Sequence, residues 1–98
     1  MRRCYLVAYD ISDDKRLRQV HKTMKGYGEA WQYSVFFCVL RDIDRVRMER
    51  DLKDIINQAE DQVVILALGS DEESTRDSAS TLGRRLPNLE RGGSMVII

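Results

Sequence analysis

Proline and histidine occur once each in the 98 residues and cysteine twice, and each scarcity closes off a class of function. Cys4 and Cys38 lie far apart, both inside predicted strands, which is the habit of buried reduced thiols and fits neither a zinc cluster nor a redox pair. A single histidine, His21, leaves no metal-type His cluster and no catalytic triad; it falls beside an apolar helix stripe and reads as a packed core or interface residue. There is no glycine-rich phosphate loop. No apolar run approaches the roughly 18 residues of a membrane span, and the stretch before Asp10 is too short for a secretory signal. A cytoplasmic protein without membrane contact is expected.

Net charge is also missing, but only in total. Lys and Arg outnumber Asp and Glu 11 to 7 in residues 1–50 and are outnumbered 5 to 9 in residues 51–98, giving +4 and −4. A basic first half is suited to phosphate, as well as to a merely solvated surface. At 43% hydrophobic and 33% charged, the composition is that of one small globular domain.

Cys4 to Tyr9 reads as a buried strand that stops on Asp10. Ser12 is placed to cap the following helix, with Asp13 and Asp14 in its first turn, where the helix dipole favours negative charge. Leu17, Val20, His21 and Met24 form its apolar stripe, and Gly26 and Gly28 end it. Residues 29–40 are aromatic and β-branched, either one bent strand or two paired ones. Asp42 or Asp44 is placed to cap a second helix carrying Met48, Leu52, Ile55, Ile56 and Ala59 on one face, and Gln62 to Leu68 is a further strand closing at Gly69.

Strand, helix, strand, strand, helix, strand is the ferredoxin-like βαββαβ order of an α+β sandwich, with both helices on one sheet face. Because the runs 5–9 and 63–67 are apolar at every position, the other face is assigned to a second subunit, and a homodimer is the simplest supply. The single domain divides into a core at 3–69, a mobile polar connection at 70–93 with a weak helix around Ala79 and Leu82, and a terminal strand at 94–98. That strand is suited to pairing with a sheet edge of its own subunit or its partner's.

Asp10 is the residue to explain. A carboxylate at the end of a rigid strand suits a divalent cation such as Mg²⁺, which prefers hard oxygen ligands; the alternative is an Asx turn into the helix. Two copies of Asp10 brought together on a two-fold axis would repel unless a cation lay between them or one took a proton. Lys15, Arg16, Arg18 and Lys22 follow closely and are candidates for phosphate contact without sequence readout, or for a solvated helix face. Ser34 is a candidate for a metal-bound water or phosphate, or a plain strand serine. Trp31, Tyr33 and Phe36 are more often core at this spacing than platforms for bases.

The combination of Tyr9-Asp-Ile11, the basic helix after it, Gln32-Tyr-Ser-Val-Phe36 and a late terminal strand resembles the small CRISPR-associated endoribonuclease family, the second universal CRISPR adaptation protein. The resemblance covers about residues 3 to 68. It implies a ferredoxin-like homodimer whose last strand completes a sheet across the dimer, and which works with the CRISPR integrase to capture spacer DNA. It implies metal-dependent endoribonuclease or endonuclease activity, with Asp10 matching the family's metal-binding aspartate. Phe37 departs from the pattern, since many relatives carry an acid there, and so does the long segment 70–93.

Four functions compete. One is a non-catalytic, dimeric adaptor that binds duplex DNA in the integrase complex; another is a Mg²⁺-dependent nuclease acting on single-stranded RNA or duplex DNA. The others are a toxin-like ribonuclease of the virulence-associated toxin D type and a ferredoxin-like small-molecule sensor. The adaptor is favoured, because the acidic inventory around Asp10 is thin for a fast nuclease.

Overall fold

The computed structural model describes residues 1–86 and 96–97. Its centre is β1 (Arg2–Asp10), which pairs antiparallel on one side with β3 (Val35–Arg41) and on the other with β4 (Gln62–Gly69). The short β2 (Glu29–Gln32) adds to the far edge of β3, so the sheet order is β2-β3-β1-β4. Helices α1 (Asp14–Met24) and α2 (Asp42–Ile55) complete the ferredoxin-like α+β sandwich that the element order implies. Residues 29–41 are thus two paired strands rather than one bent strand. Among the described residues, no helix is long and apolar enough to cross a membrane.

Period-two alternation decides what each sheet face carries. Tyr5, Val7 and Tyr9 of β1, with Phe36, Cys38 and Leu40 of β3, face the helices and join Val20, Met24, Met48 and Leu52 in the core. The intervening residues of β1 look the other way, and the register lines them up in rows. Leu6 stands between Phe37 and Leu66, Ala8 between Val35 and Val64, and Asp10 opposite Gln62.

That second face is not left wholly for a second subunit. Residues expected to form a mobile polar connection contain α3 (Glu72–Asp77), and the helix expected around Ala79 and Leu82 is instead the two-residue β5 (Ser80–Thr81) and a bend. The side chain of Arg76 ties α3 down: its guanidinium lies 4.6 Å from the Phe37 ring centroid, pairs with Glu72 at 2.8 Å, and also pairs with Glu29 of β2. Trp31 stacks on Phe37 at 4.9 Å, leaving Phe37 only 1% exposed. The remaining half of the face, with Val64 and Leu66 about half exposed, stays open.

Two capping expectations are corrected. Asp13, not Ser12, caps α1 by accepting from the Arg16 N–H at 2.9 Å, because Ser12 is drawn toward Asp61 instead. At α2 the cap position belongs to Arg41, with no side-chain cap bond. β3 runs straight into the helix, and Asp42 and Asp44 fall in the first turn. The terminal strand appears as β6 (Val96–Ile97), parallel to β5 of the same chain. Pro87, Arg91, Ser94, Met95 and Ile98 lie outside the described residues.

Candidate nucleic-acid and metal site

Asp10 is the last residue of β1 and lies on the open sheet face in the same row as Gln62. Its carboxylate is exposed and has no hydrogen-bond or ion-pair partner among the described residues, so the Asx turn does not form. Ile11, 8% exposed, returns the chain to the core and fixes the strand end from which Asp10 projects.

Beyond Asp10 the loop is locked to the start of β4. Asp61 accepts from the Ser12 N–H at 3.0 Å, the Asn57 N–H at 2.8 Å and the Arg16 Nε at 2.8 Å. The Arg16 guanidinium, followed by these N–H groups, holds the Asp61 carboxyl well below the usual carboxylate range. Arg16 also pairs with Glu60 at 3.1 Å. Sequence reasoning singled out Arg16 for phosphate and passed over Asp61, whose one signal was its place in an acidic pair just before an apolar run. The structure makes Arg16 a clamp between α1 and the 57–61 turn.

The β2–β3 turn, residues 33–34, is latched to the same end of β1. The Tyr9 N–H donates to the Ser34 carbonyl at 3.0 Å, and the Tyr9 hydroxyl donates to the Tyr33 carbonyl at 2.6 Å. Burial pushes the Tyr9 hydroxyl up to about 12, so it stays a donor at neutral pH. Since a carbonyl only accepts, His21 presents a protonated Nδ1 to Tyr33, at 2.9 Å. The Ser34 backbone is thereby held against Tyr9, the residue before Asp10. His21, read from sequence as a core or interface residue, is half-buried and braces this turn.

Lys15, Arg18 and Lys22 are exposed, and their spacing of three and four puts them on one stripe of α1 that Lys25 continues. None of the four has an ion-pair partner among the described residues. The described residues thus include a free carboxylate at the end of β1, an ordered turn at the same strand end and a cationic stripe on α1.

To a divalent cation such as Mg²⁺, one chain offers a single carboxylate at this strand end. Asp10 is a hard oxygen ligand with open lone pairs, but among the described residues no group of three or more His, Cys, Asp or Glu side chains is placed to hold a metal ion. A second copy bringing its own Asp10 would double the donor set.

Residues 2–76 match the family described as CRISPR associated protein Cas2. The chain is 44% identical over 92 residues to the CRISPR-associated endoribonuclease Cas2 1 of Rhodospirillum rubrum, covering 94% of this chain and 89% of that protein. It is 38% identical to the CRISPR-associated endoribonuclease Cas2 of Geobacter sulfurreducens, over 98% of this chain and the whole of that one. Among solved structures, Streptococcus pyogenes Cas2 at pH 6.5 superposes with a TM-score of 0.63 at 34% identity, covering 67% of this chain and 86% of that one.

Proposed function

The chain belongs to the CRISPR-associated Cas2 family, and from that premise we propose that it works as a homodimeric adaptor of the spacer-acquisition complex in the cytoplasm. It binds the backbone of duplex DNA through Lys15, Arg18 and Lys22 while the integrase subunit carries out the chemistry. The observation that carries this reading is the combination, among the described residues, of a cationic stripe on α1 without ion-pair partners and of Asp10 at the strand end with no group of three or more metal-ligating side chains. Cations on one helix face neutralise phosphates without reading bases, whereas one Asp per chain is sparse for metal-assisted hydrolysis.

The dimer in this reading forms on the open half-face around Val64 and Leu66. Contiguous exposed apolar side chains on a sheet face are the surface a second copy would cover. Such a dimer would bring the two Asp10 residues, on the same face, toward a shared axis. A Mg²⁺ ion held there would supply a Lewis acid and an activated water. Intrinsic metal-dependent cleavage of RNA or DNA is the second reading, favoured by the free state of the Asp10 carboxylate.

Duplex DNA binding by the purified protein across a range of salt tests the proposal. The variant K15Q/R18Q/K22Q should bind more weakly, with a log–log salt slope shallower by about three, while Asp10→Ala should bind at least as well as wild type. Unchanged binding by the triple variant would overturn the assignment of the stripe. Cleavage by wild type that vanishes both with chelator and in a dimeric Asp10→Ala variant would favour the nuclease reading.

A further inference from the structure

Tyr33 is the aromatic ring that the sheet does not absorb. Phe36 and Phe37 are 0% and 1% exposed and Trp31 lies flat on Phe37, whereas Tyr33 is 52% exposed. An exposed ring in a tight turn is ordinarily mobile. This one is held. It lies parallel to the His21 imidazole with centroids 4.0 Å apart, and its own carbonyl is gripped by the Tyr9 hydroxyl and by Nδ1 of His21. The edge of Phe36 meets His21 at 5.4 Å, so the stack rests on the core. One face of Tyr33 is covered, and the rest is presented to solvent in a fixed orientation.

Along α1 the stack is bordered by cations, while the carboxylates of Asp10 and Asp14 lie toward the start of the helix. Arg18 lies three residues before His21 and Lys25 four after it, so an exposed cation flanks the stack on each side along α1, with Lys22 beside it. A flat π face between cations suits a nucleotide strand, with the base on the ring and phosphates on the cations. A base inside a duplex is unavailable, because both of its faces are already stacked.

We infer that Tyr33, braced by His21 and flanked by Arg18 and Lys25, is a stacking platform for an unpaired base of single-stranded nucleic acid beside the Asp10 end of the sheet. The inference rests on the nucleic-acid-binding reading and adds a preference for unpaired strands. The platform recognises the base rather than the sugar, so RNA and DNA strands are equivalent to it.

Four labelled probes test this with the full chain: single-stranded RNA, single-stranded DNA of the same sequence, that DNA strand made abasic, and the corresponding duplex. Tyr33→Ala should weaken binding of both single strands roughly tenfold or more, leave the abasic strand and the duplex unchanged, and be rescued by Tyr33→Phe. Tyr33→Leu, which keeps an apolar cover on His21, guards against a folding defect and should behave like Tyr33→Ala. Equal losses with abasic and intact strands, or no loss with either, would overturn the platform. Wild-type protein that binds the duplex but no single strand would overturn the platform alone, whereas failure to bind any of the four probes would overturn the underlying reading as well.

Discussion

Gly28 shows how much a single residue constrains this sheet. A Cβ built there would lie 2.5 Å from the Cys38 Sγ and 2.5 Å from the Phe37 carbonyl oxygen, closer than any carbon tolerates. Both neighbours are buried in β3, so neither gives way cheaply. Gly28→Ala should destabilise the protein by roughly 1–3 kcal/mol, the usual penalty of overpacking, read as a lowered thermal midpoint. At Asp61 the effect is electrostatic. Its carboxyl titrates well below the usual range in the folded chain, so the stability it contributes is fully present above the unfolded value of about 4 and is lost as pH falls through the lowered folded value. Asp61→Asn should therefore lower the denaturation midpoint at pH 7 while flattening its decline below about pH 4, and the two curves should converge in acid. Asp10 was legible in the sequence because an apolar strand ended abruptly on a carboxylate. Asp61 and the bracing role of His21 were not, since each is defined by partners more than ten residues away.

Among the elements, α3 is the one that composition concealed. Residues 70–86 are polar enough to read as a mobile connection, and six helical residues have little intrinsic stability. The helix is held by tertiary contact: Arg76, only 8% exposed, lies over Phe37 and between Glu29 and Glu72. No local pattern announces an arginine that will be buried against a ring contributed by β3. Removing it takes this cation from the mostly buried Glu29 carboxylate and uncovers Phe37. Arg76→Ala should cost about 3 kcal/mol, toward the lower end for breaking a buried ion pair because the Glu72 side chain is 37% exposed. Urea unfolding measures the loss, and limited proteolysis should show new cleavage within 70–81. By contrast β1 and β4 were readable as apolar runs, and the two long helices from hydrophobic periodicity, although that periodicity ran on to Ala59 whereas α2 ends at Ile55 and Ala59 lies in the following turn.

At the scale of the whole molecule, the open half-face carries the account. Val64 and Leu66 are 49% and 52% exposed on the face that also carries Asp10, and the cationic stripe lies on α1. In the proposed dimer Leu66 lies at the contact, so Leu66→Lys should leave a monomer in light scattering where wild type is a dimer, since a charge buried at an apolar contact has no partner there. The all-apolar run of β1 pointed to cover on both sides, but the sequence did not reveal that α3 supplies part of it. In the proposed reading this member of the Cas2 family acts as an adaptor whose task does not depend on the Asp10 carboxylate. New-spacer acquisition in cells carrying the integrase and a CRISPR array, scored with wild type and with an Asp10→Ala variant shown to accumulate as a dimer, tests that claim most directly. Acquisition by the variant at the wild-type level is the predicted result, and acquisition abolished with the dimer intact would contradict the account.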